Sequence, residues 1–259
     1  GGAYLRRVTR VGSESDTTDR TSLDVGMPVI TPGRTLILLT QGFRWRTSPS
    51  DTGTSTATIT STGGQTWTLI HSGAHRGAFA VWVASNVVEW TGTLTVGFAP
   101  AVKYATATLL EMVGAASSSV VESTRTDAIV SSRLQDPELE VTVGPLTNVQ
   151  HHVVYLSVGL GLNTIGGWRA VLTAPRESGW TVVSSLSTGA VAYQTFSSSA
   201  ARSVTWWRAV DGSIPEDWFA TLAVLKAAST EGSSLTPGQW SLCVTAVDAL
   251  GNESLPTGT

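Results

Sequence analysis

A short motif that occurs twice limits what this chain can fold into more than any other feature of its sequence. The first copy is GQTWTLI at residues 64–70, and the second is GWTVV at residues 179–183. Apolar runs of strand length surround both copies in the same order. Upstream, 34–40 corresponds to 151–158; downstream, 77–83 corresponds to 189–196 and 104–110 to 218–225. Four strand-like blocks recur in one order, which predicts an internal duplication.

Short β-strands joined by turns account for the composition of the chain. Val, Trp and Thr lie inside the apolar runs, whereas Ser, Thr and Gly fill the segments between them. Two half-sandwiches have sheet edges that invite pairing, and a double sheet lets the halves complete one another around one core. The sequence therefore predicts an all-β fold: a jelly-roll-like β-sandwich of two pseudo-repeated halves, with a C-terminal β-hairpin.

The predicted sandwich occupies residues 23–228, with halves at about 23–113 and 138–228. Residues 1–22 are expected to form an N-terminal arm or edge strand, and 229–259 a linker and the hairpin. A serine-rich surface crossover is predicted over 114–137.

A tight hairpin is also predicted within the first half. The strands 57–60 and 67–70 flank the glycine-bearing connection 61–64. Such a connection is typical of two adjacent antiparallel strands.

The order of these strands resembles a known family. The chain has a strand opened by the run PGRTL at 32–36, then a Gly-Trp-Thr-Leu turn and strand, then a strand ending in Ala-Leu/Val-Leu. This order is similar to that of the duplicated β-sandwich domains found in tail and other virion proteins of double-stranded DNA phages and in some bacterial surface proteins. The resemblance covers roughly residues 4 to 228. It implies a phage virion structural protein of the tail or of a surface-attached appendage, assembled in the host cytoplasm. The implied partners are other copies of itself, with a trimer expected, and neighbouring virion proteins.

The last residues of the chain resemble a different family. The runs 238–248 and 251–254 are similar to the last two strands of a fibronectin type III module. Trp240, Leu242 and Val244 alternate with small or polar residues, which predicts a strand with one apolar side. That side is expected to pack on a neighbouring subunit or on further strands beyond Thr259.

Neither the histidines nor the cysteine form a metal-binding pattern. His71 and His75 straddle a predicted strand-to-turn segment, and the adjacent His151 and His152 would point to opposite faces of a strand. Cys243 is the single cysteine, so a cysteine-based zinc site is excluded. No metal and no cofactor are expected.

Three acidic residues are the candidates for a catalytic group. Asp211, Glu216 and Asp217 lie close in sequence to Trp206 and Trp207, a combination that could in principle hold a sugar and supply a glycosidase carboxylate pair. All three fall within one predicted loop, where acids usually form solvated surface. A Gly-x-Ser-x-Gly elbow and a Walker-type loop are both missing from the sequence, and the chain is expected not to be an enzyme.

Tryptophan is the residue type that carries most functional weight. The chain has 10 tryptophans, and aromatic faces stack on sugars and anchor protein interfaces. Trp67, Trp82 and Trp180 are predicted to be buried. The candidate glycan or interface contacts are Trp45, Trp90, Trp168, Trp206, Trp207 and Trp240. The alternative function is therefore a module that binds a host-surface glycan through exposed tryptophans.

The charge of the chain weighs against two further classes of partner. Its net charge is −3 and 14% of its residues are charged, so it lacks the excess of Lys and Arg that neutralises phosphates in nucleic-acid binding. It also has no run of about 18 apolar residues, the length that a membrane-spanning helix needs. Neither nucleic-acid binding nor membrane insertion is expected.

Overall fold

The computed structural model describes residues 4–12, 18–26, 30–44, 53–73, 77–129, 138–143, 152–161, 171–175, 178–185, 189–196, 200–209 and 217–228. Over these ranges the chain forms strands and no helix, which confirms the all-β prediction. Gly1–Ala228 is one compact unit. The remaining unit, Ser229–Thr259, lies outside the described residues, and so does the predicted C-terminal hairpin.

The first half contains two sheets. Its strands are β1 (Tyr4–Gly12), β2 (Arg20–Val25), β3 (Thr35–Phe43), β4 (Thr56–Thr62), β5 (Thr68–Gly73), β6 (Gly77–Ala84) and β7 (Leu94–Val113). The large sheet has the order β1-β7-β3-β6-β5. The small sheet places β2 and β4 on either side of the first part of β7. All of these pairings are antiparallel.

The long strand β7 connects the two sheets because it belongs to both. Its first part, up to Val102, pairs with β2 and β4, and from Lys103 onward it pairs with β3 and then with β1. Tyr104, just after the change of sheet, has a φ of 54°. Gly42 lies so close to Val102 that a Cβ on it would be 2.3 Å from Val102 Cγ2. The backbone of Gly42 thus lies directly against the Val102 side chain, and this corner requires glycine.

The space between the two sheets of the first half is filled by one apolar cluster. It contains Leu36 and Leu38 of β3, Trp82 of β6, and Leu94 and Val96 of β7, all buried. The opposite face of the large sheet is buried as well. Residues 36–39 of β3 form an uninterrupted apolar run rather than an alternating one, as is typical of a strand covered on both faces.

The second half repeats the topology of the first. Its strands are β8 (Val121–Ile129), β9 (Glu138–Val143), β10 (His152–Gly161), β11 (Val171–Pro175), β12 (Thr181–Ser185), β13 (Gly189–Phe196), β14 (Arg202–Ala209) and β15 (Asp217–Lys226). The large sheet has the order β8-β15-β10-β13-β12, and the small sheet β9-β14-β11. In chain order, β8 to β13 correspond to β1 to β6, while β14 and β15 together correspond to β7.

Irregularities in the ladders repeat with the topology. The pairing of β5 with β6 skips Ile70, and the pairing of β12 with β13 skips Val183. The pairing of β1 with β7 skips Arg6, and that of β8 with β15 skips Glu122. Bulges reflect specific local geometry, so their recurrence at equivalent positions shows that the two halves are copies of one design.

A second apolar cluster joins the halves through their large sheets. It contains Ile37 of β3, Phe79 and Val81 of β6, and Ala223 and Leu225 of β15, all buried. The two halves therefore pack against each other through this second cluster, within one compact unit.

The structure differs from the sequence prediction in two places. Residues 121–129 form the edge strand β8 rather than a surface crossover; the charges on this edge are what suggests a loop in the sequence. The strands around the Gly63-Gly64 turn do not form a hairpin, because β4 pairs with β7 and β5 pairs with β6. The expected edge strand near the N-terminus is β1, which ends the large sheet.

Candidate interaction surface

The segment between β4 and β5 carries the chain from the small sheet to the large one. It begins with a tight turn in which Gln65 N donates a hydrogen bond of 3.2 Å to Thr62 O. The central residues Gly63 and Gly64 have φ values of 61° and 80°. Positive φ at both positions defines a type I′ turn, which glycine adopts without steric cost.

The side chain of Gln65 fixes this turn to the loop that follows β6. Its Nε2 donates to Val88 O at 3.1 Å, and its Oε1 accepts from Val88 N at 3.0 Å. The side-chain amide thus bonds both the N–H and the C=O of Val88, as the backbone of a neighbouring strand would. Gln65 is only 5% exposed, and a buried amide with both ends bonded holds its surroundings in one arrangement.

Trp90 closes the same junction from the other side. A Cβ on Gly63 would be 1.9 Å from Trp90 Cζ2, and one on Gly64 would be 2.2 Å from Thr91 Oγ1. Thr91 N donates to Gly63 O at 3.1 Å, and Trp90 Nε1 donates to Gly92 O at 2.7 Å. The indole is half-buried against the core of the first half. Trp90 therefore holds two loops together.

Trp67 directs the chain from the turn into β5. Its Nε1 donates to Thr62 O at 3.0 Å, and its ring packs half-buried against the core of the first half. Two apolar side chains next to this junction face solvent: Leu69 is 50% exposed and Val88 is 56% exposed. Among the residues whose side chains the structure describes, these two are the large hydrophobic ones that are exposed. The start of β5 is thus a rigid segment that presents apolar surface.

Charge divides the four edge strands of the first half into two pairs. Strands β1 and β2 contact each other and form the charged edge pair, with Arg6, Arg7, Arg10, Arg20 and Asp24 in their sequences. Strands β4 and β5 also contact each other and form the uncharged edge pair, which has no Lys, Arg, Asp or Glu.

Polar interactions reinforce the charged side of the first half. Asp24 Oδ1 accepts a hydrogen bond of 2.7 Å from Thr95 Oγ1. Nearby, Lys103 Nζ lies 3.9 Å from Asp19 Oδ1. Both Asp19 and Asp24 are exposed, so this side of the sandwich presents charge to solvent.

The second half has the same division. Strands β8 and β9 contain Glu122, Arg125, Asp127, Glu138 and Glu140, whereas β11 and β12 contain no charged residue. Again the members of each pair contact each other. Sequence reasoning missed this division because it becomes visible only when the strand order identifies the edges.

The tryptophans predicted as contacts fall into three groups. Trp90 is described and braces the junction. Trp206 and Trp207 lie in β14, where their backbones pair with Leu139 and Glu138 of β9. Trp45, Trp168 and Trp240 lie outside the described residues. The structure therefore does not bring these six residues together in one described site.

Of the tryptophans predicted to be buried, Trp82 is 5% exposed. Trp67 and Trp180 are half-buried. A core role thus holds in full for Trp82, which lies on the interior strand β6 of the large sheet, and in part for the other two.

The candidate residues for metal binding and catalysis that the structure describes lie on different strands. Within the described ranges there is no group of three His, Cys, Asp or Glu side chains that could hold a metal ion. The ring centroid of His71 lies 5.9 Å from that of Phe79. His152 begins β10 and Asp217 begins β15, while Asp211 and Glu216 lie outside the described residues. No helix in the described part is long and apolar enough to span a membrane.

Comparison of the chain with protein-family models, with curated proteins and with solved structures gives no match.

Proposed function

We propose that this chain is a structural protein of a phage particle, in the tail or in a surface-attached appendage, and that it works by packing against copies of itself and against neighbouring virion proteins. The observation that carries the proposal is the duplicated sandwich, whose halves pack together through an apolar cluster within the compact unit Gly1–Ala228. This architecture agrees with the strand order on which the resemblance over residues 4 to 228 rests.

The packing of the sandwich suits a mechanical role. The large sheet of the first half is buried on both faces, with Leu36 and Leu38 in one cluster and Ile37 and Leu39 in the other, and each of the four is at most 5% exposed. A double-sided core of close-packed side chains deforms little under load. The edge strands remain on the outside, where they can meet other subunits.

The alternative, a host-surface glycan module, depends on tryptophan faces that are open to a sugar. Trp90 supports it weakly because one side of its ring contacts Gly63 and its Nε1 is bonded to Gly92 O. The alternative therefore rests on Trp45, Trp168, Trp206, Trp207 and Trp240.

Light scattering on the purified full chain, combined with mass spectrometry of particles from the phage that encodes it, tests the proposal. We expect an oligomer, with a trimer as the specific expectation, and the chain among the particle proteins. A stable monomer that is missing from particles would overturn the proposal.

Titration with host cell-wall polysaccharide, followed by tryptophan fluorescence, tests the alternative in parallel. Saturable quenching that Trp206→Ala and Trp207→Ala abolish, in a chain that stays monomeric, would favour the glycan module. A flat titration would leave the structural role as the better account.

A further inference from the structure

The two uncharged edge pairs point to the way in which copies of this chain bind one another. We propose that β5 of one copy pairs with β12 of the next copy, so that the large sheet of one half continues into the large sheet of a neighbouring molecule. The proposal rests on the self-association in the proposed function and specifies the surface that mediates it.

The first argument is that neither charged residues nor proline protect the edge strand β5. Among the described strands it pairs only with β6. Thr68, Leu69 and Ser72 are exposed. Proteins commonly prevent edge-to-edge association with charged residues or proline, and β5 has neither. Its one irregularity is the bulge at Ile70, which leaves Thr68 and Leu69 in regular pairing with Val83 and Trp82.

The second argument is that the other edge of the same sheet is protected. Strand β1 carries three arginines, and its equivalent β8 carries Glu122, Arg125 and Asp127. A strand added there would have to bury or oppose these charges. Selective charging of one edge in both halves leaves β5 and β12 as the edges of the large sheets that are suited to strand addition.

The third argument identifies the occupant as a second copy. Strands β5 and β12 are copies of one design, with Thr68 and Leu69 equivalent to Thr181 and Val182 and with matching bulges. An uncharged edge meets another uncharged edge without unpaired charge, and Thr-Thr and apolar cross-strand pairs are favourable.

Because each chain carries both edges, head-to-tail pairing uses β5 and β12 once each. Such heterologous contacts generate a closed ring when the rotations from one subunit to the next bring the last subunit back to the first. The expected trimer requires this kind of contact, whereas a symmetric β5-to-β5 contact would stop at a dimer.

The local structure favours this contact at low entropic cost. The Gln65 amide, bonded to Val88, and the Trp67 indole, bonded to Thr62, hold the start of β5 before any partner arrives. Preorganised segments lose less conformational freedom on binding.

Charge introduced at equivalent positions of the two edges tests the proposal. The first variant is Thr68→Lys with Leu69→Lys, and the second is Thr181→Lys with Val182→Lys. The matched control is Thr21→Lys with Ser22→Lys on β2, where both residues are exposed. Sedimentation velocity gives the mass of each protein and of mixtures, and circular dichroism verifies that each variant is folded.

We expect each edge variant alone to be monomeric over a concentration range in which the wild type and the β2 control are oligomeric. The Kd for self-association should rise at least tenfold. An equimolar mixture of the two edge variants should form a dimer and nothing larger, because each variant retains the edge that the other lacks. This complementation is specific to head-to-tail pairing.

Several results would overturn the proposal. If the variant altered in β12 still dimerises alone, the contact is symmetric through β5, and if both variants remain oligomeric, neither edge is used. In that second case the proposed function stands, because the wild type still self-associates. If the wild type is monomeric and missing from particles, the proposed function fails and this inference fails with it.

If a variant does not fold, hydrogen exchange on the unaltered protein tests whether β5 and β12 form the contact. Amides in 68–73 and 181–185 should become protected as the concentration rises through the Kd, while those in 20–25 should not change. Uniform protection, or protection confined to 20–25, would overturn the proposal.

Discussion

Thr40 and Val158 occupy the same position in the two halves of the sandwich. Thr40 pairs with Ala80 and Ala107 in the first large sheet, and Val158 pairs with Ala190 and Ala220 in the second. Thr40 is 1% exposed, and its Oγ1 has no hydrogen-bond partner. The first half thus holds a hydroxyl where the second half has a methyl group.

Thr40→Val should stabilise the protein by about 1 kcal/mol, because it removes a buried hydroxyl whose desolvation is not compensated. That gain corresponds to a rise in Tm of about 2 to 4 °C for a unit of this size. Thermal and urea denaturation measure it. Thr58→Val is the control: Thr58 is exposed on β4, and the change there should stay within about 0.5 kcal/mol. A Thr40→Val protein that is less stable than the wild type would contradict the prediction.

Gly63→Ala should destabilise the fold by about 2 to 4 kcal/mol, the sum of a left-handed backbone cost and an overpacking cost. The new Cβ would lie 1.9 Å from Trp90 Cζ2, and Gly63 has a φ of 61°. Chemical denaturation measures the loss.

Gly92→Ala separates the two costs of the Gly63 substitution. Gly92 has a φ of 74°, and a Cβ added to it would have no neighbour within 4 Å, so only the backbone cost of about 1 to 2 kcal/mol applies. Equal losses for the two substitutions would show that Trp90 is free to move away from Gly63.

Gln65→Met should cost about 2 kcal/mol, because a side chain of similar length leaves Val88 N and Val88 O without their partners. The amide of Val88 should then exchange with solvent much faster, whereas amides in the centre of β3 should keep their protection. Thr66→Ala, at the exposed neighbour, serves as the control and should be nearly neutral. Unchanged exchange at Val88 would mean that Gln65 does not hold the loop.

The duplication is visible in the sequence because each half buries the same apolar blocks in the same order. The residue-by-residue alignment of the two halves is not visible in the sequence. The sequence aligns Gly77 with Gly189, but the ladders make Phe79 equivalent to Gly189, since Phe79 pairs with Gln41 and Gly189 pairs with Gly159. Runs of Gly and Ala fit two alignments, and only pairing with neighbouring strands chooses between them.

The strands with which β4 and β5 pair also could not be predicted from the sequence. A type I′ turn has the same local geometry whether its strands pair or diverge. Here the divergence is held by contacts distant in sequence, from Gln65 to Val88 and from Gly63 to Trp90. The role of Trp90 as a brace depends on the same contacts, which is why its strand-end position suggests a binding residue when the sequence is taken alone.

The last prediction concerns the boundary at Ala228. The end of the compact unit is tied to the connection between the halves: Lys226 N donates to Val120 O at 2.8 Å, Ala116 N donates to Lys226 O at 2.9 Å, and Ala228 N donates to Gly114 O at 2.7 Å. The side chain of Ala227 adds to the cluster between the large sheets and is 7% exposed.

A chain that ends at Ala228 keeps all of these bonds, so it should fold with the circular dichroism spectrum and the cooperative unfolding of a β-sandwich. A chain that ends at Leu225 loses the three bonds and the methyl group of Ala227, and its free energy of unfolding should fall by about 2 to 4 kcal/mol relative to the chain ending at Ala228, at roughly 1 kcal/mol for each hydrogen bond. Urea denaturation of the two truncated proteins side by side measures the difference. Equal stability would show that the last three residues are not part of the folded unit, and failure of the longer protein to fold would show that the sandwich needs residues beyond Ala228.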